Sequence, residues 1–213
     1  MNKISSLFPL VFFLLMLPAG LQAQEGSPGE ETNKGMFSLG ARNVISMFSD
    51  GEFNHKGLGM GGQFRLRLSD RINTEWYADF ANTNILDKAF RTDYHIGWSV
   101  FYYFLKEDRP LPRVLQPFIE AGHCFDYTRV VAAGPFQSLE RWSSAVQMGV
   151  GSHINFTEKF DFTVKVQYMI HLGSDIDVHL VNDVVTLEKH EGVDLEGHIL
   201  ITFSVNYKIG HLW

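Results

Sequence analysis

The chain has very little cysteine, with Cys124 the only one among 213 residues. A single thiol allows no internal disulfide, so no disulfide framework stabilises the fold. Stability must then come from backbone hydrogen bonding and packing. A chain of this length suits one domain built around one sheet or barrel.

Long apolar runs and excess positive charge are also missing. Beyond residue 24 no apolar run approaches the roughly 20 residues that a membrane-spanning helix needs, which excludes a helical membrane protein. A transmembrane β-barrel is not excluded, because only alternate residues of its strands contact lipid. The net charge of −6 argues against a nucleic-acid partner.

The N-terminal segment has the pattern of an export signal. Lys3 precedes an apolar run, Leu7–Leu17, and small residues follow up to Ala23. This pattern predicts a secretory signal peptide over residues 1–23, and the alternative is a signal-anchor that stays attached. No cysteine follows the run, so lipid anchoring through an N-terminal cysteine is not expected. Residues 24–34 are polar and predict a linker, and residues 35–213 predict the folded domain.

From Gly35 onward the sequence contains eight stretches in which apolar and polar residues alternate with a period of two. Most run for ten residues or more, which matches the roughly 9–11 residues of a tilted transmembrane strand. Eight is also the smallest even number of strands that closes such a barrel. The fold class predicted is therefore all-β, an eight-stranded antiparallel up-and-down transmembrane β-barrel. The stretches are GMFSLGARNV, LGMGGQFRLRLS, INTEWYADFAN, TDYHIGWSVFYYF, QPFIEAGHCFDY, SAVQMGVGSHINF, FDFTVKVQYMIHL and GHILITFSVNYKIGHLW.

The connections alternate between short and long, which is typical of outer-membrane barrels with their long loops outside the cell. Two connections read as tight turns, Ser69–Arg71 and Thr157–Lys159. Leu105–Gln116 is longer than a short turn should be. Within the last long connection, Asn182 and Asp183 separate two strand-like segments and predict a hairpin above the membrane. The four predicted long loops are Ile45–Lys56, Asn82–Arg91, Arg129–Trp142 and Gly173–Val193.

Alternation alone does not say which face is turned outward, and a soluble lipocalin-like barrel would show the reverse arrangement. Three features favour lipid outside. The polar set is poor in lysine and carries charges of both signs, which are expected to pair inside the barrel. Aromatic residues lie toward the strand ends, where membrane interfaces would be. No helix of the kind lipocalins carry is expected after the last strand. The polar-set charges are Arg65, Arg67, Glu75, Asp79, Glu120, Lys165 and Glu196, and the rim aromatics are Phe104, Phe156, Phe160 and Tyr207 at one end and Phe90, Tyr94 and Trp142 at the other.

The run GVGSHINFTEKFDFTVKVQY, with the final alternating strand, resembles the small eight-stranded outer-membrane β-barrel family that includes the OmpA-type and OmpX-type barrels. The resemblance covers residues 35–213. It implies an exported, integral outer-membrane protein of a diderm bacterium, in contact with outer-membrane lipids and lipopolysaccharide. It also implies that the last strand closes the barrel against the first. In that family a terminal aromatic, usually Phe and here Trp213, is associated with recognition by the outer-membrane assembly machinery.

Four histidines and a possible hydrolase site are the candidates for chemistry in this sequence. His95, His153, His171 and His198 share the polar parity, and His171 and His198 are expected to face each other near the outer rim. Zinc would need a third ligand, which is not visible, so hydrogen bonding in the lumen is the favoured interpretation. A lipid A deacylase-like site would use His171 with Ser174 and Glu188, but the spacing does not match that family's His-x-Ser motif.

A pore is a third possible function. An eight-stranded lumen is just wide enough for side chains to fill it, and the inward set is bulky, although Gly97, Gly149 and Gly151 are expected to loosen it. The favoured role is therefore non-enzymatic, in structure, envelope integrity or surface interaction, with a narrow pore or a lipid A-modifying enzyme as alternatives. No catalytic, cofactor-binding or metal residue is predicted, and the surface partner is open. The acidic segment 173–193 is interpreted as a solvated loop in preference to an adhesive surface.

Overall fold

The computed structural model describes residues 33–50, 53–105, 114–132, 137–181, 184–194 and 197–213. No helix in these ranges is long and apolar enough to cross a membrane. The described ranges contain nine β-strands: β1 (Met36–Asp50), β2 (Phe53–Arg67), β3 (Ile72–Ile85), β4 (Ala89–Tyr103), β5 (Leu115–Ala132), β6 (Ser138–Asn155), β7 (Phe160–Val181), β8 (Val184–Asp194) and β9 (Gly197–His211).

Eight of these strands form one closed antiparallel barrel. Each of β1 to β7 pairs with its neighbour along the chain, and β9 pairs with both β7 and β1. Ile201 of β9 stands opposite Val166 on one side and Ile45 on the other. Within the described ranges, β8 pairs with the outer part of β7 alone. The predicted fold class is confirmed, as is closure of the barrel by the last strand against the first.

One end of the barrel, here called the short-turn end, carries tight turns and both ends of the described chain. The Leu68 N–H donates to the Ile72 carbonyl over 2.9 Å, and the Thr157 hydroxyl accepts from the Phe160 N–H over 2.9 Å. The Leu212 N–H donates to the Gly35 carbonyl over 2.9 Å. The two predicted tight turns are confirmed. Residues 106–113 of the predicted connection Leu105–Gln116 lie outside the described residues.

At the opposite end, much of each predicted long loop is β-strand that extends the barrel ladders. In the predicted loop Asn82–Arg91, the strands continue until only Leu86–Lys88 connects them. Leu86 and Asp87 have φ of 54° and 56°, and the Lys88 N–H donates to the Ile85 carbonyl over 2.9 Å, as in a type I′ hairpin turn. The ladders extend because each added backbone N–H and C=O group finds its hydrogen-bond partner across the hairpin.

The longest such extension is the pairing of β7 with β8, here called the long hairpin (residues 173–194). Its strands pair up to Val181 and Val184, so the pairing predicted for this hairpin is confirmed, and the predicted turn residues Asn182 and Asp183 lie outside the described residues. The register shifts between Gly173 and Asp175. This irregularity lies where the long hairpin leaves the barrel wall, and irregular pairing of this kind bends and twists a strand ladder.

Side chains alternate between lipid-type and lumen-type environments along the strands. Val205 is 52% exposed on the outside, whereas its neighbour Ser204 is 3% exposed in the lumen. The apolar set therefore faces outward. The arrangement expected for a membrane barrel is confirmed over that of a lipocalin-like barrel.

Candidate functional site

The exterior of the barrel is an apolar belt edged by aromatic side chains. Toward the long-hairpin end, Phe80, Tyr94, Tyr127 and Trp142 form one row across four strands, with neighbouring ring centroids 6.4, 6.0 and 4.8 Å apart. At the short-turn end, Phe160 and Tyr207 are 5.0 Å apart. Every aromatic predicted for the two rims is exposed. An outward surface this apolar is unusual for a protein in water and is typical of one in a bilayer.

The middle of the lumen is filled by a charged layer. The Lys165 ammonium donates to the Glu75 carboxylate over 2.7 Å and to the Glu120 carboxylate over 3.1 Å. These three side chains are at most 1% exposed. The Tyr77 hydroxyl donates to the Gln147 side chain over 2.7 Å in the same layer. The predicted pairing of opposite charges inside the barrel is confirmed, although Glu196 lies outside the described residues.

Arg42 belongs to this layer and was missed in the sequence. Its guanidinium lies 3.0 Å from Asp79 and 3.4 Å from Glu75, and it stacks 4.1 Å above the Tyr77 ring. The signal was present in the weakest predicted strand, because Ser38, Gly40 and Arg42 share one parity. With Arg42 and Lys165, the layer has two positive groups beside its carboxylates, so its charges are paired.

A second polar layer lies nearer the short-turn end. Arg65 donates to both Asp161 carboxylate oxygens, over 2.6 and 2.9 Å. It also lies 3.0 Å from a ring nitrogen of His153, whose other partners are the Tyr103 hydroxyl at 2.9 Å and the Thr163 hydroxyl at 2.7 Å. His153 is therefore a hydrogen-bonding lumen residue, as its parity predicted.

A third layer, nearer the long hairpin, contains the other three predicted lumen histidines. His171 Nε2 lies 2.9 Å from His198 Nδ1, so their predicted contact is confirmed. Asp126 Oδ2 lies 3.2 Å from His171 Nδ1, and Asp126 Oδ1 lies 3.5 Å from His95 Nε2. His95 Nδ1 is 2.9 Å from Asp79, which links this layer to the middle one.

Beyond the third layer, the long hairpin closes the lumen with an apolar cluster. Ile176 and Val185 from the hairpin pack against Ile85, Ala89 and Val130 from the barrel mouth. Ile176 is fully buried. This cap was not predicted from the sequence. It places apolar side chains across the opening through which a solute would have to pass.

The inward glycines do not loosen the lumen, contrary to the prediction. A Cβ at Gly97 would lie 2.5 Å from the Tyr77 hydroxyl oxygen, and one at Gly151 would lie 2.7 Å from the Phe118 ring. Gly149 is similarly close to the Gln167 and Glu120 side chains. The space that these glycines leave is therefore taken by neighbouring side chains.

Two residues of the possible hydrolase site lie in different surroundings, with His171 buried in the lumen and Glu188 exposed. The described contacts of His171 are with Ser143, Asp126 and His198. Glu188 lies on the long hairpin, exposed, 3.9 Å from His179. The Ser174 side chain is outside the described part. Within the described ranges, no group of three or more His, Cys, Asp or Glu side chains is arranged to hold a metal ion.

Comparison with solved structures identifies the class of fold. The chain resembles Neisserial surface protein A at 15% identity, covering 81% of this chain and 97% of that one, with a TM-score of 0.55. It resembles Ail, the attachment invasion locus protein of Yersinia pestis, at 12% identity, covering 83% and 99%, with a TM-score of 0.50. Both are small eight-stranded outer-membrane β-barrels, and the fold of this chain is theirs. No family model and no curated protein matches the sequence.

The fold and the exterior together indicate an outer-membrane location. The solved structures with this fold are outer-membrane barrels. The apolar belt between the aromatic rims is a surface that a bilayer would cover. The signal peptide predicted over residues 1–23 lies outside the described residues and stays a prediction.

Proposed function

We propose that this protein is a non-enzymatic, non-conducting integral barrel of the outer membrane that holds the long hairpin rigidly at the cell surface. The observation that carries the proposal is the combination of an apolar exterior with a lumen that is closed by its middle charged layer, its histidine layer and the apolar cap. The first makes the bilayer the natural surroundings of the barrel. The closed lumen leaves the long hairpin at the outer end as the part of the protein that can contact molecules outside the cell.

The filled lumen supports a structural role over a pore. Three polar layers and an apolar cap succeed one another between the two ends of the barrel. In the middle layer, Lys165 and its two carboxylate partners lie on strands from different sides of the lumen, so their contacts cross it. A permeating solute would have to break these buried pairs, which is strongly unfavourable.

The long hairpin supports a role in surface interaction because its outer side is exposed and its inner side is fixed. Thr186, Glu188 and Lys189 are exposed, whereas Ile176 and Val185 are buried in the cap. A hairpin already held in one conformation loses little further entropy when a partner binds.

Additional contacts tie β8 to the neighbouring barrel wall. The Leu187 N–H donates to the Gln137 side chain over 3.3 Å, and the Lys189 ammonium donates to the Glu140 carbonyl over 3.2 Å. The partners we propose are outer-membrane lipids and lipopolysaccharide along the belt and its rims, with the assembly machinery acting on β9 during insertion.

This proposal predicts opposite accessibility of the two barrel ends in intact cells. Thr186→Cys, on the exposed side of the long hairpin, should react with a membrane-impermeant maleimide added to whole cells. Lys159→Cys, in a tight turn at the short-turn end, should react only after the outer membrane is permeabilised, because short turns face the periplasm. The native Cys124 is fully buried in the barrel and gives the unlabelled background. Labelling of Lys159→Cys but not Thr186→Cys on intact cells would contradict the proposed orientation.

A further inference from the structure

The short-turn end of the lumen contains a cavity of about 350 Å³ that opens on that side. Its inner wall includes Arg65, Gln116 and His153, which are at most 3% exposed, and its mouth includes the exposed Lys159. Ligand pockets in proteins typically measure roughly 300–1,000 Å³. The cavity is therefore large enough for a small solute.

The cavity does not continue through the barrel. Phe101 and Phe118 stack with ring centroids 4.6 Å apart and are at most 1% exposed. Phe118 also lies against His153, with centroids 4.7 Å apart. The charged middle layer around Lys165 lies 5.3 Å beyond the Phe101 ring, measured from the Lys165 ammonium. The space is thus a closed pocket entered from one end.

The charges lining the pocket are predominantly positive. Four cationic side chains line it, Arg65, Arg67, Lys159 and Lys208, against the two carboxylates Asp161 and Glu158. Asp161 already accepts hydrogen bonds from one terminal nitrogen of Arg65, which contacts both carboxylate oxygens, and from the Asn206 amide at 3.0 Å. Low-dielectric walls concentrate such a charge excess, so the pocket favours an anion over a neutral or cationic solute.

Buried donors on the pocket wall have no partner among the described groups of the protein. Gln116 is 2% exposed, and its side-chain Nε2 makes no hydrogen bond. Arg65 Nε is likewise without a partner. A buried donor that forms no hydrogen bond is costly, and a ligand oxygen that accepts from it removes this cost. Carboxylate and phosphate oxygens are strong acceptors for both amide and guanidinium donors.

We propose that this pocket binds a small oxyanion, a carboxylate or phosphate group, presented from the short-turn side of the membrane. Gln116 and Arg65 donate to its oxygens at the inner wall. Arg67 and Lys208 supply the surrounding positive potential, and Lys159 attracts the anion at the mouth. The site is independent of the surface role of the long hairpin, because it lies at the opposite end of the barrel, beyond the charged middle layer.

The test measures binding of inorganic phosphate and of acetate by isothermal titration calorimetry. The protein is purified from membranes and kept in a neutral detergent. Saturable one-site binding of at least one of them is expected, with no binding of the cation tetramethylammonium. Lys208→Gln should raise the dissociation constant about fivefold. Gln116→Leu should raise it about tenfold, because a buried hydrogen bond to a charged group is lost.

Lys56→Gln is the matched control, since it removes the same charge from an exposed position at the opposite end of the barrel. It should leave the dissociation constant within about twofold of the parent value. Folding of each variant is checked by heat-modifiable gel migration, and Lys208→Gln keeps the test informative if Gln116→Leu fails to fold. Absence of saturable binding, or equal weakening by Lys56→Gln and Lys208→Gln, would overturn the proposal.

A second experiment distinguishes a lipid headgroup from a free solute as the source of the phosphate group. Phosphatidylglycerol added to the micelles should displace phosphate if a lipid headgroup is the occupant. Unchanged phosphate binding in its presence would assign the pocket to a free solute.

Discussion

Replacing Ile201 by arginine should reduce the free energy of folding into lipid vesicles by about 2–4 kcal/mol, roughly a 30- to 900-fold loss in the folding equilibrium. Ile201 faces outward on β9 and lies between Ile45 and Val166 on the neighbouring strands. It is six residues from Tyr207 of the short-turn rim, which places it about 14 Å into a belt some 25 Å tall. A guanidinium there would lie in hydrocarbon. Reversible unfolding by urea in vesicles measures the loss.

The matched control is Ile209→Arg, the same change on the same face of the same strand. Ile209 is 53% exposed and lies beyond Tyr207, outside the belt. At the membrane interface the cost should fall to about 0–1 kcal/mol. Equal losses at the two positions would mean that β9 does not cross a bilayer as the apolar belt requires.

Replacing Lys165 by methionine should destabilise the barrel by about 3–5 kcal/mol, because it removes one partner from a buried charge cluster. Lys165 bonds both Glu75 and Glu120, each almost completely buried. Arg42 remains beside Glu75 at 3.4 Å, so the uncompensated charge falls mainly on Glu120. The same vesicle titration measures this loss.

The double variant Lys165→Met with Glu120→Gln removes one charge of each sign and should recover at least half of that loss. Lys56→Met removes a lysine from an exposed position and should change stability by less than about 0.5 kcal/mol. A loss at Lys165 as small as that at Lys56 would mean that the middle layer is screened by water. That result would favour the pore over a filled lumen.

The facing direction of individual residues was predictable from the sequence because a strand has a strict period of two. Lys165 and Glu75 were assigned to the lumen in this way, and both are buried there. Their contact was not predictable, because it joins β3 and β7 across the lumen, and its register depends on how the sheet closes. Arg42 was missed for a local reason, since Gly40 and Ala41 weaken the alternation of β1.

The outer end was predicted less well than the barrel wall. Turn-forming residues such as Asn84 and Asp87 were interpreted as loop, but here they support a tight hairpin, with the Asn84 side chain accepting from the Asp87 N–H over 3.0 Å. The cap was invisible for another reason. Ile176 and Val185 lie in an otherwise acidic segment, and their apolar partners come from two other connections that only the fold brings together.

A barrel that is apolar outside and closed inside should not conduct ions, and planar-bilayer conductance tests this most directly. With the purified protein inserted, the account predicts a current indistinguishable from that of the protein-free membrane, while a known porin under the same conditions gives stable steps. Insertion is confirmed by heat-modifiable migration of the protein recovered from the membrane. Stable, reproducible conductance steps from this protein would contradict the account, because ions would then be passing the layers around Lys165 and His171 and the apolar cap.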